Sequence, residues 1–246
     1  MKNRLIALGI ICLALLTVSC QKEAITPSPT PSSSSALKIL PLGDSRVQGG
    51  PPEHESYRYE LWKNFVNANW EVDFIGRYRD EFSYATVSSR TFDPDHQGLG
   101  GEITTGLLTT LRSYQTGESP DVALLGIGGN DLVENANTPA VAAENIRQMV
   151  VELRRLNPNV TIFIEQIAPG RSDLMSAELT AKWTDFQTNI ATLATEMNTT
   201  ASKVVVVDMA TGWSDSLMPD AVHYNQAGAK FVADRYFTAI SANVAR

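Results

Sequence analysis

The stretch Ile39-Leu40-Pro41-Leu42-Gly43-Asp44-Ser45-Arg46-Val47-Gln48-Gly49-Gly50, ILPLGDSRVQGG, passes from apolar residues straight into a glycine and a small polar triplet. Gly, Asp and Ser are common turn residues, so the stretch alone fits a turn serine as well as a side chain held up at a strand end. Its surroundings are more informative. LKILPLG (37–43) is one of five β-rich apolar runs, with EVDFIG (71–76), DVALLGIG (121–128), NVTIFIEQI (159–167) and KVVVVDM (203–209). Several are apolar almost throughout, as strands buried on both faces should be. Between them helical spacing covers 56–69, roughly 102–116, 138–157 and 172–198, and a last helix at about 225–243 closes the chain. Thr138 followed by Pro139 reads as an N-cap and a first-turn proline. This alternation predicts an α/β fold, a parallel sheet with helices on both faces.

In such sheets ligands bind at the carboxyl ends of the strands. Ser45 falls just past the first strand, on that edge. So do GIGGND (126–131) after the third strand and MPDAVH (218–223) after the fifth. Three loops distant in sequence are therefore expected to converge on one rim.

A serine nucleophile needs a base within hydrogen-bond reach and a group that orients the base. Of the three histidines, His54, His96 and His223, the last is the strongest candidate, because Asp220 stands three residues before it. In isolation DAVH also reads as a capping Asp and a surface His ahead of the last helix. Acyl transfer further requires donors for an oxyanion. Asn130, behind two glycines, supplies a side-chain amide, and Gly101 in DHQGLGGEIT (95–104) supplies a backbone N–H on a loop entering a helix. Arg46, beside Ser45, can fix a substrate or a loop. Asp93, Asp95 and His96 read as a hydrogen-bonded turn rather than a metal site, since no further spaced ligands accompany them. No metal or other cofactor is called for. Trp62 and Trp183 sit at helical spacing among apolar residues and read as core.

The ends carry a different message. Met1-Lys2-Asn3-Arg4 and the apolar run to Cys20 have the form of a secretory signal, too short to span a bilayer comfortably. LTVSC (16–20) resembles a bacterial lipobox, which implies a signal peptide over 1–19 and lipidation of Cys20. Residues 20–36 are Pro/Ser/Thr-rich and read as a tether, and 37–246 as one domain. With the signal removed, 18 basic residues face 27 acidic ones, net −9, which disfavours nucleic acid and anionic lipid head groups as partners. The expected location is outside the cytoplasm, with membrane contact only through a lipid at Cys20.

Gly43-Asp44-Ser45, Gly101, Gly129-Asn130-Asp131 and Asp220-x-x-His223 together resemble the SGNH (GDSL) hydrolases, over essentially the whole domain. The resemblance implies a flavodoxin-like three-layer α/β/α sandwich with a five-stranded parallel sheet. It also implies Ser45 as nucleophile, His223 as base, Asp220 as its orienter, and an oxyanion hole formed by the Ser45 and Gly101 N–H groups and the Asn130 side chain. PLGDSRVQG, SYRYELW, DHQGLGGEIT and PDAVHYNQAG are similar to the branch containing carbohydrate esterase family three, which implies an acetylated carbohydrate such as xylan, or another small ester, as substrate. Glu102 stands where that branch often has Trp, and Tyr224 where it often has Pro, so these two join Arg46 as candidate substrate-binding residues. Other readings of the same fold are a lysophospholipase, a thioesterase, or a glycan-binding lipoprotein without catalysis. The chain does not fit a G-x-S-x-G elbow, because Val47 occupies the position of the second glycine.

Overall fold

A computed structural model of the chain describes residues 36–114 and 117–245. The signal, Cys20 and almost all of the tether expected from the sequence lie outside the described residues.

The quoted stretch begins within β1 (Leu37–Gly43), the strand on which the sheet is built. One edge of β1 pairs along its length with β5 (Val122–Gly126), from Ile39 opposite Val122 to Gly43 opposite Gly126. The other edge is divided. Its first half pairs with β2 (Val72–Phe74) and its end, Leu42 and Gly43, pairs with β4 (Asp95–Gly98). Beyond β5 follow β6 (Thr161–Gln166) and β7 (Val204–Asp208). The order β2-β1-β5-β6-β7 is all parallel, the five strands and the flavodoxin-like arrangement expected from the sequence.

Among the described residues the sheet nevertheless has seven strands rather than five, because β4 extends it and a two-residue β3 (Tyr78–Arg79) pairs antiparallel with β4. Asp95-His96-Gln97-Gly98 has neither apolar alternation nor β-branched residues, so its pairing with β1 on one side and β3 on the other makes it a strand. On the opposite edge of β1, Gly43 permits the close approach of β5. Its φ is +158°, and a Cβ there would lie 2.0 Å from the Gly126 carbonyl oxygen.

Alternating strand residues feed two cores. Leu40, Leu42, Ala123, Leu125, Ile162 and Ile164 pack under α3 (Thr104–Arg112), α5 (Pro139–Leu156) and α6 (Ala177–Met197). Ile39, Val122, Leu124, Phe163 and Val207 pack under α2 (Tyr57–Asn67) and α7 (Gln226–Asn243). Trp62 and Trp183 are core residues. Helix starts follow from caps: Ser56, Thr138, Ser176 and Asn225 each accept a first-turn N–H. Hence α6 begins at Ala177, five residues later than its spacing suggests. Two segments expected as loops are short helices, α1 (Ser45–Gln48) and α4 (Gly129–Val133).

Candidate active site

β1, β5 and β7 end on one rim, and the loops that follow them bring their polar residues together. Ser45 opens α1, whose N-cap is Asp44, with the Asp44 Oδ1 accepting the Arg46 N–H at 2.9 Å. Burial raises the Asp44 carboxyl pKa, while the Arg46 charge and that hydrogen bond act against the rise. The far end of α1 is held by Arg58 of α2, which is completely buried. Its guanidinium donates to the Val47 carbonyl at 2.8 Å, the Gln48 carbonyl at 2.8 Å and the Pro94 carbonyl at 2.9 Å, and it pairs with Asp80 at 2.7 Å. The four-residue helix carrying Ser45 is thus fixed at both ends.

Ser45 Oγ lies 2.9 Å from His223 Nε2, and His223 Nδ1 lies 2.7 Å from Asp220 Oδ2. Asp220 divides its work between two oxygens. Oδ1 accepts the N–H groups of Val222 and His223, each at 2.8 Å, and Oδ2 faces the ring. Burial pushes the Asp220 carboxyl upward, but the two backbone N–H groups and the imidazole outweigh it and hold the pKa down at about 2. An ionised Asp220 makes Nδ1 the proton-bearing nitrogen and leaves Nε2 to accept from the Ser45 hydroxyl. A chain of this kind can move the serine proton onto the imidazole as Oγ attacks a carbonyl carbon.

The oxyanion candidates lie on two neighbouring loops. Leu99 to Glu102 form a β-turn, with the Glu102 N–H donating to the Leu99 carbonyl at 3.1 Å and Gly101 at φ +73° in the position where such a turn needs glycine. The turn sits over α1: the Gly100 N–H donates to Gln48 Oε1 at 2.6 Å, and a Cβ on Gly100 would lie 4.0 Å from the Ser45 Cβ. Asn130, in the first turn of α4, spends one amide hydrogen on the Glu102 carbonyl at 2.9 Å, which locks its side chain to the same turn and leaves the second hydrogen. The neighbouring Asp131 is completely buried and joins the two loops from beneath. Its carboxylate accepts the Thr104 N–H at 3.0 Å, the Thr104 hydroxyl at 2.5 Å and the Asn137 amide at 2.7 Å.

The three residues considered for substrate contact are placed differently. Arg46 commits its guanidinium to the carbonyls of Val222, Ala168 and Pro169 at 2.7, 2.6 and 3.4 Å, so it fixes the loops after β6 and β7. Tyr224 is completely buried, with its ring 5.0 Å from the Arg46 guanidinium carbon, and serves as a floor for that side chain. Glu102 is half-buried and folds back on α3, where its Oε1 accepts the Ile103 N–H at 3.3 Å. Burial raises its pKa. Asp93 and His96 are occupied by backbone N–H groups, of Phe74 and Asp95 for the first and Gly98 for the second. Among the described residues no group of three or more His, Cys, Asp or Glu could hold a metal ion.

Arg58 was not singled out from the sequence, Asp131 was named only as the last residue of the Gly129-Asn130-Asp131 motif with no role of its own, and His54 only as one of three histidines. Arg58 acts through partners at least 10 residues away and Asp131 joins α3 from 27 residues away, and no local motif announces such partners. His54 stacks on His223 at 4.0 Å between centroids, and only the scarcity of histidines could have pointed to it.

Residues 42–231 match the GDSL-like lipase/acylhydrolase family, and the chain belongs to that family. Among solved structures it is similar to a carbohydrate esterase family 3 protein from Talaromyces cellulolyticus, with 24% identity over 84% of this chain and 97% of that one, at a TM-score of 0.72. A family 3 carbohydrate esterase from Clostridium thermocellum gives 24% identity over 84% and 96% at a TM-score of 0.65. A mutant acetyl esterase with acetate ion gives 23% identity over 84% and 97% at 0.72. No curated protein matches the sequence significantly.

Proposed function

We propose that the protein is a serine esterase that removes acetyl groups from carbohydrate, using Ser45, His223 and Asp220. The observation that carries this reading is the unbroken chain from Ser45 Oγ through His223 to Asp220, at 2.9 and 2.7 Å, on the rim of a family acylhydrolase fold. In the proposed reaction Ser45 Oγ attacks the acetyl carbonyl carbon while His223 Nε2 takes its proton. The oxyanion is met by the N–H groups of Ser45 and Gly101 and by the second amide hydrogen of Asn130. His223 then returns the proton to the departing sugar oxygen, and a water molecule deprotonated by His223 releases acetate from Ser45.

The choice of acetyl rests on a site built from short strand-end loops and on the similarity to carbohydrate esterases. In the same reading, a lipid on Cys20 and the Pro/Ser/Thr-rich tether hold the domain at a membrane outside the cytoplasm. The test compares p-nitrophenyl acetate, octanoate and palmitate and then measures acetate release from acetylated xylan, with Ser45→Ala as control. Acetate is expected to be the best of the three esters and acetylated xylan to release acetate. A preference for octanoate or longer, with no release from acetylated glycans, overturns the carbohydrate assignment in favour of a lipid or thioester substrate. Unchanged turnover in a folded Ser45→Ala variant overturns the esterase itself.

A further inference from the structure

The loop joining α1 to α2 folds back on itself and presents His54 to the candidate base. The Gly50 N–H donates to the His54 carbonyl at 3.1 Å and the His54 N–H donates to the Gly50 carbonyl at 3.2 Å. One residue on, the Glu55 N–H donates to the Tyr224 carbonyl at 2.8 Å, which ties the loop to the residue following His223. The imidazoles of His54 and His223 are stacked, with centroids 4.0 Å apart and planes 26° from parallel. A Cβ on Gly50 would come within 2.6 Å of the His54 ring, so the glycine makes the seat in which that ring lies. His54 Nε2 is buried and makes no hydrogen bond, so that nitrogen does not hold the ring in place.

His223 has two edges and two faces. Asp220 and Ser45 occupy the edges, and two hydrogen bonds along one line leave the ring free to tilt about that line. A plate against one face removes that freedom. We propose that His54 is a positioning residue for His223, its ring holding the imidazole on the line from Asp220 to Ser45 and receiving, through its π face, the positive charge that His223 gains with the serine proton. The inference rests on the esterase reading above. Aromatic contacts and cation–π attraction of this geometry favour a charged ring over a neutral one.

The charge state of His54 matters to this arrangement. Burial, and secondarily the charge of His223, lower its pKa, against the pull of Asp220 and of Glu53 on its own loop. At neutral pH the plate is therefore uncharged. At acid pH a proton on His54 sets cation against cation, so activity should fall with more than one proton.

The test measures kcat and KM for p-nitrophenyl acetate with the full chain and its His54→Ala, His54→Phe and His54→Leu variants between about pH 4 and 8. His54→Ala is expected to lower kcat on the order of three- to tenfold with little change in KM. His54→Phe, which restores a flat π face, should recover most of kcat and lose activity in acid with a single proton, where the wild type falls more steeply. His54→Leu fills the space without the π face and should remain impaired. Thermal melts establish that each variant is folded, and Phe against Leu decides the matter if Ala is not. Wild-type kcat and acid limb in His54→Ala or His54→Leu overturn the proposal, as does a folded His54→Phe no better than Leu. A Ser45-dependent enzyme indifferent to His54 removes only this inference, whereas turnover surviving in Ser45→Ala removes the esterase reading.

Discussion

Asp220 meets the candidate base from a half-exposed position, with 50% of its side-chain surface open against 21% for His223. Water can therefore partly replace its carboxylate, whereas the His223 ring is itself the partner of the Ser45 hydroxyl. Ser45→Ala and His223→Ala are expected to lower kcat for p-nitrophenyl acetate by on the order of 10⁴-fold or more, and Asp220→Ala by roughly one to two orders of magnitude less. Equal losses for Asp220→Ala and His223→Ala, in variants that melt alike, would remove the orienting role. The pH sign is set by the depressed carboxyl. With a pKa of about 2 against an ordinary 3.8, Asp220 contributes stability that is complete above the ordinary value and is lost progressively as the pH falls from about 3.8 through about 2. The residues holding this chain were legible because each belongs to a short local motif just past a strand. Arg46 and Tyr224 were legible only as neighbours of those motifs, and burial and carbonyl contacts gave them supporting positions instead.

Among the elements, α3 shows where local reading stops. Its N-cap is Ile103, which has no side-chain acceptor, and the cap is supplied from α4 by Asp131 on the Thr104 N–H. The spacing of LLTTL announces a helix, but its start depends on a carboxylate 27 residues away. The five parallel strands were legible for the opposite reason. Buried on both faces, they must be apolar nearly throughout, and that property is visible in one dimension. Strands β3 and β4 follow neither rule, since the pairing of β4 with β1 and of β3 with β4 makes them, and α1 and α4 are too short to show a helical period. Asp131→Ala leaves the buried Thr104 hydroxyl and N–H without their acceptor and takes from the Asn137 amide one of its two acceptors. It is expected to destabilise the fold by about 2–4 kcal/mol in urea unfolding, with Asp131→Asn less severe. A loss below about 0.5 kcal/mol for the alanine variant would show that α3 is capped without it.

At the scale of the whole molecule, the two cores enclose acids as well as apolar side chains, and these set how stability responds to pH. Glu165, on β6 and 4% exposed, accepts the Tyr236 hydroxyl at 2.7 Å across the α7 core. Burial pushes its carboxyl up to about 7, with the Tyr236 hydrogen bond and the Arg46 charge opposing. Asp93 is pushed to about 7 as well, by burial and then by Asp95. A carboxyl whose pKa is raised on folding is protonated in the native state while the unfolded chain already ionises. Its contribution is therefore most favourable below about 4.5 for Glu165, declines as the pH rises to about 7, and is level beyond. At roughly 1.4 kcal/mol per pH unit, the shift costs about 3 kcal/mol above pH 7. Glutamine keeps an acceptor for Tyr236 and has no charge to bury. Glu165→Gln should thus raise Tm by about 5–10 °C above pH 7 and lose that advantage near pH 4. Comparing variant with wild type at each pH cancels the parallel titration of Asp93. A Tm difference that stays constant from acid to alkaline pH would mean that Glu165 is no more protonated in the folded protein than in the unfolded chain.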